Sequence, residues 1–214
     1  MAETLSTKIA FNKKQLNLLC VSLNGGELPS WLRDEVAEAF QAVSRYITNG
    51  NQTVYIRDIP FLAIEGRYPG GHCYNPYEVM IAVPDWEVDR TQLKTAINHE
   101  LHHMARWQNA GYGETLGGAI LSEGIATYYE ELVSGWTPPW AKVAVSNQAK
   151  SAAQAAWDST QYSHTDWFFE GSSGKWIGYG IGYQIAKKLF ENSFDLESSV
   201  TIKPDKAKEL VSQL

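Results

Sequence analysis

The residues with the clearest chemistry stand at 98–103, where His99, Glu100 and His103 form a His-Glu-x-x-His pattern. Two imidazoles four positions apart on a helix share one face and can grip a single metal ion. A carboxylate beside the first imidazole can accept a proton from a water activated by that ion. His102 offers a rival i,i+3 pairing with His99.

These side chains need a helix. The pattern predicts one from about Thr91 to Gln108, capped by Asp89 or Thr91, with Gly111 and Gly113 beyond its end. On a wheel of about 100° per residue with Leu93 at zero, Ile97, Leu101 and Met104 fall between zero and about 80°, the stripe expected to be buried. Glu100, His103 and His99 follow at about 340°, 280° and 240°, a continuous arc beside that stripe. Asn98, Thr95, Arg106 and His102 gather around about 180°, which disfavours the rival pairing and predicts a solvated His102.

A third ligand is sought on the next helix, expected over residues 114–133, where Gly117 and Gly118 permit close approach of a neighbour. Glu123 lines up there with Leu116, Ile120 and Thr127 and so points along an apolar face. A buried carboxylate is costly unless a cation or donors compensate it. A zinc ion would do so; so would a core Arg or Lys. Glu130 shares the face and is the reserve ligand. His72 and Cys73 have ligand chemistry too, but nothing in their spacing ties them to the histidine pair.

The rest of the chain reads as mixed. Strands are expected at Gln15–Ser22, Thr53–Arg57, residues 61–65 and Tyr77–Val83, and a turn at Asn49–Gly50–Asn51. Residues before Gln15 read as a loose start. A helix capped by Ser30 carries the stripe Val36, Phe40, Val43 and Ile47. Strand signal dominates about residues 1–85 and helix signal about 86–214, two lobes of one expected domain.

Of the 214 residues, 44% are apolar, enough for a substantial core. The formal net charge of −6 argues against nucleic acid or an anionic membrane as partner. Two cysteines are too few for a disulfide framework and fit a reducing, cytoplasmic setting. Leu16–Leu23 is too short and too interrupted for an export signal and reads as a strand.

With the histidine pair and Ser122–Glu123–Gly124–Ile125–Ala126 in hand, the chain resembles the gluzincins, and more narrowly the YjaZ-like predicted zinc-dependent proteases. Gly178–Tyr179–Gly180–Ile181–Gly182 matches a third motif of that group; the resemblance covers about residues 70–190. It implies an α+β, zincin-like fold with Zn²⁺ on His99, His103 and Glu123. It also implies a peptide or protein substrate bound along a sheet edge, for which Tyr77–Val83 is the candidate, with residues 70–75 as the approach and an interior strand as the equal alternative for Tyr77–Val83. Many gluzincins carry an Asp four residues after the ligand Glu to orient a ligand histidine; here that residue is Thr127.

Glu100 is then the general base, and Tyr179 the candidate donor to the oxyanion, since Gly178, Gly180 and Gly182 let its helix approach closely. Tyr183 and His164 compete for that role. Trp136, Trp140 and Trp157 read first as core and second as groove. The alternative function is a zinc-holding regulatory or binding module without turnover. Intact Glu100 argues for chemistry, because a structural site needs only the ligands.

Overall fold

Leu16, Leu18 and Cys20 alternate with the half-exposed Asn17 and Leu19, and all three are buried, as a strand with one core-facing side requires. They belong to β2 (Lys14–Val21) in the computed structural model, which describes residues 3–48 and 50–214. Asn49, the first residue of the expected turn, lies outside the described residues. Two compact units, Met1–Gln108 and Asn109–Leu214, divide the chain. The fold class is α+β: a mixed N-terminal sheet followed by helices.

In the first unit, β1 (Thr4–Phe11), β2, β3 (Asn51–Asp58), β5 (Glu78–Val83) and β4 (Gly70–Asn75) form one sheet in that spatial order. β2, β3 and β5 run parallel, and β1 and β4 pair antiparallel at the two edges. Between β2 and β3, α1 (Leu32–Val43) buries Val36, Phe40 and Val43, the expected stripe. Its N-cap is Trp31, with no side-chain cap bond, so Ser30 does not cap it.

Three expectations are corrected here. β1 replaces the loose start; only Ile9 of its side chains is buried, so its alternation carries little apolar signal. Its hairpin turns through Asn12 and Lys13 at φ 48° and 67°, a left-handed pair that usually includes glycine. The strand expected at residues 61–65 is instead a 3-10 turn at Pro60–Leu62, and Ile64 makes only an isolated bridge to Tyr68. Pro60 has no amide proton to give a ladder. Finally, β5 is interior, between β3 and β4, and β4 is the edge.

α2 (Arg90–Asn109) is anchored at both ends within the first unit. Asp89 Oδ1 accepts from the Gln92 amide at 3.0 Å, which caps the first turn. Arg90 donates from Nε (2.7 Å) and Nη2 (2.5 Å) to Oε1 of the buried Glu35 on α1. At the far end, Gln108 donates to the Pro76 carbonyl at 2.5 Å and accepts from the Thr48 amide at 2.6 Å.

The second unit is built on α3 (Leu116–Ser134) and α6 (Ile177–Leu189), with α4 (Asn147–Ala155), α5 (His164–Phe168), a two-stranded ribbon of β6 (Glu170–Gly171) and β7 (Gly174–Lys175), α7 (Leu196–Thr201) and α8 (Asp205–Val211). Leu116, Ile120, Trp157, Phe168, Ile181 and Ile185 share its core. α3 and α6 touch backbone to backbone: a Cβ on Gly182 would stand 2.1 Å from the Ile120 carbonyl oxygen and 2.8 Å from the Gly124 Cα. Both glycines come from motifs noted in the sequence, and only the absence of side chains permits the approach. Gly182→Ala is therefore expected to destabilise the protein by about 3 kcal/mol in urea unfolding. A change under about 0.5 kcal/mol would show that the helices can separate at little cost.

Candidate metal centre

One turn of α2 brings the first two candidate ligands together. His99 Nε2 and His103 Nε2 lie 2.9 Å apart, with ring centroids at 4.5 Å and planes at 80°. Both rings and Glu100 between them are buried, at 7%, 1% and 5% exposure. Such a nitrogen pair is a hydrogen bond only if one nitrogen is protonated; two lone pairs facing each other instead await a cation.

The wheel misplaces His102. Its side chain is fully buried, along with Thr95, Asn98 and Arg106 on the same face. A wheel records the polarity of a face, and polarity predicts exposure only where polar groups lack partners. Here Thr95 Oγ1 donates to the Thr91 carbonyl at 2.7 Å and Asn98 Nδ2 to the Lys94 carbonyl at 2.9 Å. Those polar groups are met by the helix itself, so the face can be packed. Burial holds His102 well below its ordinary value, with His103, Arg106 and His99 adding to the effect, so its imidazole is neutral. Burial also lowers Arg106 to about 10.

β4 passes directly over the candidate base. A Cβ on Gly71 would stand 2.3 Å from Glu100 Oε1 and 2.5 Å from its Cδ, so only glycine leaves that carboxylate in place. On the same strand His72 is exposed, with its ring edge-on to Tyr74 at 4.9 Å. The Cys73 thiol is buried and donates to the Asn75 carbonyl at 3.3 Å. Neither Cys20 nor Cys73 is in a disulfide, and burial pushes the Cys20 thiol up to about 12, which makes it inert.

In the second unit, Thr115 caps α3 by accepting from the Gly118 amide at 3.1 Å, and Gly135 ends it at φ 72°. Glu123 is 4% exposed on this helix, and its Oε1 accepts from the Tyr112 hydroxyl at 2.8 Å. Ser122 in turn donates to the Tyr112 carbonyl. The Tyr162 phenol is pushed up by burial and by the Glu123 charge. Glu130 is buried further along α3.

The three candidates for the oxyanion donor differ in their surroundings. Tyr179 is half-buried, its ring edge-on to Phe168 at 5.4 Å and tilted to Trp140 at 6.3 Å. The Tyr183 hydroxyl donates to Glu131, and burial and that carboxylate hold its phenol far above the usual range. His164 is exposed and stacks on Phe168 at 4.6 Å. Trp157 is fully buried and serves the core, packed where Gly117 has no side chain.

Two contributors were not apparent from the sequence, Gly71 and Tyr112. The signals available were the Gly70–Gly71 pair, read only as part of the approach to the expected edge, and Gly111 and Gly113, read only as lying beyond the end of the helix.

A family model described as predicted Zn-dependent protease (DUF2268) matches residues 33–209. The chain belongs to this family. Zinc is the metal that the description names. Among solved structures, a single-residue mutant of an M1 zinc metallopeptidase from Deinococcus radiodurans is similar at 15% identity and a TM-score of 0.48, over 99% of this chain and 44% of that one. The unmutated enzyme gives 15% and 0.44, over 99% and 51%. An aminopeptidase N family protein from Idiomarina loihiensis gives 11% and 0.48, over 99% and 41%. The chain thus spans about half the length, or less, of these structures. No curated protein matches it. Among the described residues, no helix is long and apolar enough to cross a membrane.

Since His102 fills a packed position, His102→Ala is expected to cost about 2–4 kcal/mol in chemical denaturation. A cost below about 0.5 kcal/mol would restore the solvated reading of this residue.

Proposed function

We propose that the protein is a zinc-dependent peptidase in which His99, His103 and Glu123 hold the ion and Glu100 is the general base. The observation that carries the reading is the buried imidazole pair of α2, His99 Nε2 and His103 Nε2 at 2.9 Å with the buried Glu100 between them in sequence, and the buried Glu123 of α3 is the proposed third donor. Two imidazoles and a carboxylate are the donor set of catalytic zinc sites that keep one position open. The two Nε2 atoms, 2.9 Å apart, would hold the ion together with the Glu123 carboxylate.

Zinc, when bound, supplies a Lewis acid that acidifies water and polarises a peptide carbonyl. The chain's own residues do the rest. His99 and His103 bind as neutral rings, each carrying its proton on the nitrogen turned away from the ion. Glu100 takes the proton of the attacking water and delivers it to the leaving amine. Burial strengthens this step, since a proton acceptor screened from bulk water acts at low dielectric. Tyr179 is the proposed donor to the developing oxyanion. Tyr183 is less suited, because its hydroxyl is already given to Glu131.

The substrate is a peptide or protein segment bound in extended form along β4, which is the sheet edge and lies on Glu100. The bare backbone at Gly71 leaves the base beside the strand that pairs the peptide. No basic surface for nucleic acid is called for by a chain of net charge −6.

Metal analysis and peptide cleavage test this together. Purified protein is expected to carry about one zinc per chain and to cleave casein or a peptide library. Glu100→Gln is expected to keep the zinc and lose at least about a hundredfold in rate. A folded, metal-free protein would overturn the site, and a Glu100→Gln variant of undiminished rate would overturn the general-base role.

A further inference from the structure

We infer that Tyr112 is a positioning residue for the Glu123 carboxylate, supplying an outer-shell hydrogen bond in this chain. The inference rests on the proposed metal site. Glu123 is 4% exposed, and its Oε1 accepts from the Tyr112 phenol at 2.8 Å. A phenol donating to a carboxylate is a charge-assisted hydrogen bond, stronger than a neutral one. A carboxylate that holds one oxygen to a fixed donor presents the other in a set direction.

Tyr112 is itself fixed from several sides. Ser122, the residue before Glu123, donates its hydroxyl to the Tyr112 carbonyl. The side chain of Ser122 thus holds the tyrosine backbone while the tyrosine side chain holds Glu123, a closed loop between one turn of α3 and the segment before it. Gly111 and Gly113 flank it at φ 88° and 146°, in conformations that favour glycine. A Cβ on Gly113 would stand 2.6 Å from the Ala119 amide, so the segment lies tight on the first turns of α3. Lys203 donates to the Ala110 carbonyl at 2.7 Å and ties the start of the segment.

Thr127 sits where many gluzincins place the orienting Asp, yet its buried hydroxyl has no hydrogen-bond partner among the described residues. The outer-shell bond seen on α3 acts on the carboxylate ligand and comes from Tyr112. Such bonds fix ligand orientation before the metal arrives and raise affinity by roughly 10- to 100-fold.

The test is the zinc dissociation constant, measured by chelator competition on the full chain. Tyr112→Phe keeps the ring and removes only the donor; it is expected to weaken zinc binding about 10- to 100-fold. In a Glu123→Ala background the same change is expected to have no further effect, because its target is gone. Ser122→Ala, which leaves the phenol but loosens its anchor, is expected to weaken binding several-fold and serves if Tyr112→Phe fails to fold. Unchanged affinity in the folded variants would overturn the inference. So would a loss of the same size with Glu123 intact and in the Glu123→Ala background, which would mark Tyr112 as a packing residue. Zinc binding by the wild type separates this result from failure of the metal site: a wild type that binds no zinc overturns both.

Discussion

Polar side chains taken out of water must be compensated, and α2 imposes that condition along most of its length. From Thr95 to Arg106 every residue is buried, among them Asn98, His99, Glu100, His102 and His103. Desolvation of such groups costs several kcal/mol unless each meets a partner. The helix satisfies some of them itself, through back-bonds from Thr95 and Asn98. Others respond by shifting toward neutrality, as His102 does. The His99 and His103 nitrogens face each other at 2.9 Å, an arrangement that a shared proton or a shared cation can stabilise. A helix loaded in this way tolerates little movement, and its anchors at Glu35, Pro76 and Thr48 hold it at both ends.

The elements that carry the proposed site were legible because their signals are local. Helical periodicity gave α2 and α3 nearly to their observed ends and the buried stripe of α1 as far as Val43, and the spacing of His99 and His103 gave their shared face. The place of Glu123 on an apolar face was legible in the same way, from Leu116 and Ile120 around it. What was not legible depends on partners far away in the chain. Strand order is one such property: nothing within Glu78–Val83 reveals that β4 will cover its outer side. His102 is another, since its surroundings come from tertiary packing. The Tyr112–Glu123 bond joins a loop to a helix, and no periodicity announces it.

Glycines do comparable work in both units. Gly71 lets an edge strand lie on the Glu100 carboxylate, and Gly124 with Gly182 lets two helices meet at their backbones. In each case a missing side chain creates room for a contact that defines the unit's geometry. The Ser122–Glu123–Gly124 run thus places in adjacent residues the buried carboxylate of Glu123 and the helix contact of Gly124. Rigidity of α3 next to Glu123 follows from the tight approach at Gly124.

The central claim concerns the donors around one zinc ion, and X-ray absorption at the zinc K-edge reads them most directly. The expected spectrum has an inner shell of nitrogen and oxygen at about 2.0–2.1 Å, with the outer scattering of two imidazole rings. A sulfur shell near about 2.3 Å, or an inner shell without imidazole scattering, would contradict the account.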